Sequence, residues 1–189
     1  MKCQIYPKNL TYWNALGGAK LSLHDLQTPL STALPTSMQV ETDSNSSDII
    51  GFSNEGFWGF PVVEGWQYNG SFYALGGLNG NITVALVSNE DEVFVEASVP
   101  VSSSDDWAKY EYTFTSERSA PNGNNTLNFT FAATDLDGSV NFNLLSLFPP
   151  TYNDRPNGLR VDLMEAMDGL NPSFFRFPGG NNLEGFHPP

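Results

Sequence analysis

The sequence predicts a mainly β protein, a jelly-roll β-sandwich over residues 1–148 followed by one helix and one strand. From about residue 19 to residue 148, apolar and polar residues alternate with a period of two, as in half-buried antiparallel strands. Clusters rich in Gly, Asn, Asp, Ser and Pro separate these runs, as turns do. After residue 148 the apolar spacing becomes helical, which predicts a second structural region.

Six alternating runs define the predicted sandwich. Their apolar residues are Ala19, Leu21 and Leu23; Ile82, Val84 and Leu86; Val93, Val95, Ala97 and Val99; Tyr110, Tyr112 and Phe114; Leu127, Phe129 and Phe131; and Val140, Phe142 and Leu144. This spacing predicts roughly eight strands, as in a sandwich or jelly roll. We interpret residues 135–138, Asp-Leu-Asp-Gly, as a β-turn, because the further ligands of a calcium loop are missing.

Six Asn-x-Ser/Thr sequons indicate where glycans would attach. They begin at Asn9, Asn45, Asn69, Asn81, Asn124 and Asn128. Three of them, Asn69, Asn81 and Asn128, have the opposite parity to neighbouring apolar residues, so we expect them to point away from the core. Six sequons favour a secreted glycoprotein. The first residues lack the apolar segment of a signal peptide, so we expect that peptide to be absent from this fragment.

Composition excludes several function classes. The net charge is −13 with only 8 Lys and Arg residues, which disfavours nucleic acid as a partner. The sequence has no apolar run of about 18 residues, so no transmembrane helix is expected. His24 and His187 are too few and too far apart for a metal site, and no cofactor is expected. The single cysteine, Cys3, cannot form an internal disulfide.

The last forty residues predict a linker and one α/β unit. Residues 149–158 are rich in proline and indicate an extended linker. The helix is predicted from Leu159, Leu163, Met167 and Leu170, with Asn157 as its N-cap and Gly169 just past its end. A short apolar strand at 173–177 and a glycine turn at 178–182 follow. We therefore expect residues 159–189 to be part of an α/β domain.

The glycine turn is the best candidate for a binding site. Arg176 lies within the predicted strand, and Asn181 and Asn182 follow it in the turn. Loops at the carboxyl ends of barrel strands carry the chemistry of barrel enzymes. Asparagine amides both donate and accept hydrogen bonds, which suits a neutral polyol such as a sugar. The alternative interpretation is a tight turn without a ligand.

Several stretches of the chain resemble the fungal-type α-L-arabinofuranosidases of glycoside hydrolase family 51. The stretches are residues 19–23, 28–37, 56–59, 147–152, 155–160 and 171–185, so the resemblance runs from about residue 12 to 185. It implies a carbohydrate-binding-module-like, galactose-binding-like jelly roll in front of a (β/α)8 barrel. It also implies a retaining hydrolase of L-arabinose metabolism, which removes terminal α-L-arabinofuranosyl groups from arabinan or arabinoxylan.

The resemblance also assigns roles to residues. It implies that Asn181 contacts the arabinose ring, with Asn182 beside it, and that Arg176 lies near a catalytic glutamate. Retaining chemistry needs two carboxylates about 5 Å apart; in the family both are glutamates on later barrel strands. Nothing places Glu165 and Glu184 at that separation. We therefore expect no catalytic residue in these 189 residues and no activity without the remainder of the barrel.

Two alternatives stay open for the sandwich. It could be a free-standing carbohydrate-binding module, with a stacking platform drawn from Trp58, Tyr73, Phe94 and Trp107. Phe94 is the strongest of these candidates because it shares parity with Glu92 and Glu96 rather than with Val93 and Val95. Alternatively the sandwich is purely structural, and these aromatic side chains pack against the barrel or a neighbouring strand.

Overall fold

The computed structural model describes residues 2–3, 9–43, 45–171 and 173–174. The chain divides into two compact units, Met1–Pro150 and Thr151–Pro189. The described residues form eleven strands, two 3₁₀ helices and one α-helix, which confirms the mainly β class. The barrel that residues 159–189 are predicted to begin stays a prediction. Among the described residues, no helix is long and apolar enough to cross a lipid bilayer.

The first unit consists of two antiparallel sheets. In chain order the strands are β1 Lys2–Cys3, β2 Trp13–Leu16, β3 Lys20–Asp25, β4 Thr36–Glu41, β5 Ile49–Asn54, β6 Gln67–Leu78, β7 Gly80–Ser88, β8 Val93–Val101, β9 Ser104–Thr115, β10 Asn125–Ala132 and β11 Leu136–Phe148. One sheet has the order β3-β4-β11-β6-β9, with β1 also beside β11, and the other has the order β2-β5-β10-β7-β8. Consecutive strands often lie in different sheets, so the two sheets form as one sandwich.

Aromatic rings from both sheets fill the space between them. Phe72 of the first sheet contacts Phe129 of the second with ring centroids 5.7 Å apart, edge to face. Phe52 stacks on Phe129 at 5.1 Å and meets Phe142 edge-on at 4.9 Å. All four side chains are fully buried. Edge-to-face and offset-stacked pairs each add about 0.5–1.5 kcal/mol to the stabilisation from burial.

The alternation predicted for β8 is wrong at its start. Leu86 pairs with Val95, but the next residue, Val87, pairs with Val93, so Phe94 is the extra residue of a β-bulge. The bulge inverts the parity, leaving Val93 44% exposed and Phe94 only 9% exposed.

Two details of β11 also differ from the prediction. A register shift between Asn143 and Ser146 turns Leu145 inward and leaves Leu144, predicted on the inner face, only half-buried with a φ of 47°. Residues 135–138 are not a β-turn between strands. A 3₁₀ helix ends at Asp135, and β11 already begins at Leu136.

In the described part of the second unit there is one α-helix, α1 Val161–Gly169. It begins later than predicted: Arg160 is the N-cap, and Asn157 instead has a φ of 53° in the preceding turn. Gly169, predicted to lie just past the end of the helix, is its last residue. The left-handed conformation expected of Gly169 is adopted by Asn171, whose φ is 42°. The segment 149–158 includes a 3₁₀ helix, Tyr152–Asp154, and Thr151 forms a β-bridge with Arg160. Of the predicted strand 173–177, only Ser173 and Phe174 lie among the described residues.

The phenol of Tyr112 is buried in the sandwich. Its hydroxyl donates to the carbonyl oxygen of Ser146 over 2.8 Å. Gly70 lies opposite Tyr112 on β6, and a Cβ at Gly70 would overlap the phenol ring. Burial raises the pKa of Tyr112 well above its usual value, because the phenolate would lose its hydration.

Tyr112 should make the fold sensitive to alkaline pH. The unfolded chain ionises this phenol near pH 10, whereas the folded chain holds the proton, so stability should fall as pH rises above about 10. Tyr112→Phe should lower the free energy of unfolding by about 1 kcal/mol at neutral pH and flatten its decline above pH 10. Urea titrations at several pH values measure both effects, and Tyr12→Phe, at an exposed position, is the control. A parallel alkaline decline in wild type and Tyr112→Phe would contradict the assignment.

Candidate functional site

The predicted sugar-binding residues lie outside the described part of the chain. Arg176, Asn181 and Asn182 are all beyond residue 174, as are Glu184 and His187, so their roles stay predictions. Glu165 is exposed on α1. The described residues therefore bear on two other surfaces, the predicted aromatic platform and the sequons.

Phe94 is not part of an exposed platform. Its ring is buried, and the guanidinium of Arg118 lies 5.0 Å above the ring centroid. Arg118 also pairs with the carboxylate of Glu92 and donates to the carbonyl oxygen of Val93 over 2.8 Å. The prediction of an outward Phe94 is wrong because the bulge in β8 turns this side chain inward. Phe94 instead packs into the core under a cation–π contact.

Tyr73 and Trp107 lie on the outer face of the larger sheet. Both are half-buried, on the adjacent strands β6 and β9, and Tyr73 is paired with Lys109 in the ladder. The indole N–H of Trp107 donates to the carbonyl oxygen of Thr28 over 3.2 Å. Because Thr28 follows β3 and Trp107 belongs to β9, this bond ties the β3–β4 loop to the opposite edge of the sheet.

Neutral hydrogen-bonding side chains occupy the middle of this outer face. Ser37 of β4 donates to Asn141 Oδ1 of β11 over 3.1 Å, and both side chains are buried. Gln39 donates to the Ser139 hydroxyl and contacts the exposed ring of His24. Ser37 and Asn141 are too deeply buried to reach a ligand, so only half-buried or exposed neighbours such as Gln39 and His24 could bind one.

The most exposed aromatic residues lie in the loop after β5. Phe57 is 70% exposed and Trp58 89% exposed, and their rings meet edge-on at 5.9 Å. We call them the aromatic pair. Trp58 has a φ of 62° and lies close to Gly56 and Gly59, whose φ angles are also positive. A left-handed conformation costs a non-glycine residue about 1–2 kcal/mol, so the fold holds this indole outward against local strain.

The stacking platform predicted from the sequence included Trp58 but not two aromatic residues near it, Phe57 and Tyr12. Phe57 precedes Trp58 in the run Gly-Phe-Trp-Gly, where glycines bracket two aromatic residues, a pattern that could have indicated a tight exposed turn. Tyr12 is 59% exposed with a φ of 72°, and its carbonyl oxygen accepts from the backbone N–H of Glu55 over 3.1 Å. Tyr12 could not be found from the sequence, because it reaches this loop through strand pairing.

The sequon asparagines are mostly exposed. Asn9, Asn45, Asn69, Asn81 and Asn124 are exposed, and Asn128 is half-buried. Two of them use their side-chain oxygen within a sheet: Asn69 accepts from Thr113, and Asn128 from Thr126, each over 2.8 Å. Asn69, Asn81 and Asn128 each lie on the face opposite the neighbouring buried residues, as their parity predicts, while glycosylation itself stays a prediction.

Almost the whole chain aligns with known proteins of similar sequence. No protein-family model matches it. The chain is 39% identical to the probable alpha-L-arabinofuranosidase A of Aspergillus terreus and 37% identical to alpha-L-arabinofuranosidase A of Aspergillus niger, each over 180 residues. These alignments cover 94% of this chain but only 28% of each relative. The chain therefore spans 28% of the length of the relatives it matches.

Solved structures agree with this relationship. An arabinose-bound GH51 α-L-arabinofuranosidase superposes on 93% of this chain with a TM-score of 0.85 and 39% identity, which covers 29% of that protein. The resemblance to this family is confirmed. A xylan-binding CBM22-1 domain from Paenibacillus barcinonensis (TM-score 0.55, 13% identity) covers 79% of this chain and 92% of that domain. A CBM4 structure gives a TM-score of 0.55 at 16% identity. These two likenesses confirm the jelly-roll fold alone.

The strain at Trp58 can be measured with two substitutions. Trp58→Gly and Trp58→Ala both remove the indole, but only alanine keeps a Cβ in the left-handed conformation. Trp58→Gly should therefore unfold with a free energy about 0.5–1 kcal/mol higher than Trp58→Ala, measured by urea denaturation. At Trp107, which lies in an extended strand, the order should reverse. Equal stability of the two Trp58 variants would show that the loop is unstrained.

Proposed function

We propose that this chain, a homologue over nearly its whole length of part of the family 51 α-L-arabinofuranosidases, supplies the sandwich and first barrel elements of such an enzyme. The enzyme would be a retaining glycosidase that releases terminal α-L-arabinofuranosyl residues from arabinan or arabinoxylan. The observation that supports this most is the 39% identity and TM-score of 0.85 to an arabinose-bound member over 93% of the chain. That similarity is too extensive to rest on a shared sandwich fold.

The second unit supports the proposal through its uncovered helix. Leu159, Leu163, Met167 and Leu170 recur at helical spacing, and all four are exposed. A helix of nine residues gains most of its stability from packing an apolar face against other elements. We propose that further barrel strands and helices cover this face in the complete enzyme.

The chemistry divides between this chain and the rest of the barrel. Asn181 and Asn182 would hydrogen-bond the hydroxyls of the arabinose ring, and Arg176 would orient a catalytic glutamate. The acid/base and nucleophilic carboxylates would lie on later strands, about 5 Å apart. These 189 residues alone would therefore form one wall of the sugar site without the groups that break the bond.

The proposed setting is extracellular. Six sequons are present, and five of their asparagines are exposed where a glycan could be accommodated. The net charge of −13 favours solubility. An arabinose-containing plant polysaccharide would be the partner.

A chimaera tests this proposal. The matching part of the Aspergillus niger relative is replaced by this chain, and hydrolysis of an aryl α-L-arabinofuranoside is measured. The 189 residues alone should show no turnover, and the chimaera should be active. Asn181→Ala in the chimaera should lower kcat/KM roughly tenfold to a hundredfold, the value of one hydrogen bond made in the transition state.

Asn89→Ala, at an exposed residue of the turn between β7 and β8, is the matched control and should keep full activity. Turnover by the 189 residues alone would contradict the division of the site. Full activity of Asn181→Ala would contradict its role in binding arabinose.

A second candidate function is a carbohydrate-binding sandwich that acts without catalysis. The observation that favours it is the placement of Tyr73 and Trp107 on one outer face, beside polar side chains. Aromatic rings of this kind stack on sugars, while amides and hydroxyls bind their hydroxyl groups. The β3–β4 loop takes up part of this face, so the free surface is smaller than the sheet.

Retention on insoluble arabinoxylan distinguishes this second function. If it is correct, the chain is retained, and Trp107→Ala or Tyr73→Ala abolishes retention. The control is Tyr12→Ala, at an exposed tyrosine in the loop before β2, which should keep it. The variants must keep the wild-type far-ultraviolet circular dichroism. Retention that survives both substitutions, or no retention of the wild type, would contradict it.

A further inference from the structure

The aromatic pair is a large apolar surface with no cover among the described residues. The indole of Trp58 is almost fully exposed, and the strained backbone fixes it in that position. Exposed aromatic side chains that a fold holds at a cost usually mark a contact. The question is which molecule lies on them.

The loop that carries the aromatic pair packs on a second loop, between β9 and β10. A Cβ at Gly59 would overlap the carbonyl oxygen of Gly123 and would lie 3.3 Å from the Cα of Asn124. The carbonyl oxygen of Trp58 lies 3.7 Å from where a Cβ on Gly123 would be. Phe60 reinforces the contact, since its carbonyl oxygen accepts from the Asn125 side chain over 2.7 Å.

Asn124, in that second loop, begins one of the six sequons, Asn124-Asn125-Thr126. Its backbone N–H is fixed by the side chain of Asn122 over 2.9 Å, and its own side chain is exposed. Among the described residues, no hydrogen bond to this side-chain amide is found. The amide is therefore free to carry a substituent, on a loop that packs against the loop of the aromatic pair.

We propose that Asn124 carries an N-linked glycan whose first sugar rings lie on the aromatic pair. The inference rests on the proposed secretory route. Asn124 Nδ2 would bond to C1 of the first N-acetylglucosamine of a lipid-diphosphate-linked oligosaccharide; the amide loses a proton, and the lipid diphosphate leaves with the bond electrons. The C–H face of the sugar then covers the indole, while its hydroxyls stay in water.

The occupant is the chain's own glycan because it is tethered. A covalent link one loop away gives the sugar a high effective concentration at the aromatic pair, without any independent affinity. Asn69, Asn81 and Asn128 belong to strands β6, β7 and β10 rather than to this pair of loops. Asn9 is the closest competitor, since it precedes Tyr12, and Asn9→Gln therefore serves as a control.

Radical footprinting of glycosylated protein tests the proposal. The full chain is secreted from yeast behind a leader peptide, and glycopeptide mass spectrometry measures the occupancy of each sequon. Hydroxyl-radical oxidation is then measured at Trp58 in the wild type, Asn124→Gln, Asn81→Gln and Asn9→Gln. Because a sugar covers one of the two indole faces, Trp58 in occupied wild type should oxidise at about half the rate seen in Asn124→Gln. Asn81→Gln and Asn9→Gln should match the wild type, and Trp107 should oxidise equally in all four proteins.

Several results would overturn the proposal. These are an unoccupied Asn124 beside occupied sequons, an occupied Asn124 with no protection of Trp58, or protection that is lost in Asn9→Gln instead. Protection of Trp58 in Asn124→Gln by added soluble arabinoxylan would assign the surface to a free polysaccharide. An absence of glycan at all six sequons would also overturn the proposal, whereas the chimaera assay, which tests the proposed enzyme, would be unaffected.

Discussion

The contact between the inner faces of the two sheets holds the first unit together. Phe52 and Phe129 project from one sheet, Phe72 and Phe142 from the other, and their rings interlock with centroids 4.9–6.0 Å apart. Each ring can be buried only when the opposite sheet is present. Neither sheet is therefore stable alone, and the long loops that connect them are positioned as a consequence.

The two units differ in whether their apolar residues are covered. The sandwich buries its large side chains in a closed core, and among the described residues every buried side-chain polar atom has a hydrogen-bond partner. The helix of the second unit instead exposes the apolar stripe that its sequence predicts. This contrast matches the finding that the chain spans 28% of its relatives' length. A sandwich can close its core within 150 residues, whereas a short helix needs neighbouring elements to pack against.

Backbone geometry, rather than residue type, determines which of the candidate aromatic side chains are exposed. A single bulge in β8 turns Phe94 into the core, where Arg118 covers it. A left-handed residue in the loop after β5 turns Trp58 out. Both side chains are large and apolar, yet one stabilises the fold and the other offers a surface. Any role in glycan contact must therefore be assigned from the structure, residue by residue.

The sequence by itself determined the fold class, the inner residues of the regular strands and the family relationship. Alternation is enough where burial itself alternates, as in β10, because side chains of a strand point to opposite faces in turn. The predicted runs do not include β2, β4, β5 or β6; in β5 a run of consecutive buried residues, including Gly51 against the backbone of Phe129, hides the period.

The tertiary structure decided what depends on pairing between distant strands. Bulges, the burial of Phe94, the approach of Tyr12 to the β5–β6 loop and the contact of Gly59 with Asn124 all arise from register and loop packing. These contacts join residues far apart in the chain, so no local pattern encodes them. Short motifs such as Pro-Gly-Gly-Asn at residues 178–181 are local in sequence, which is why the sequence could assign a family to this chain before its site residues could be placed in space.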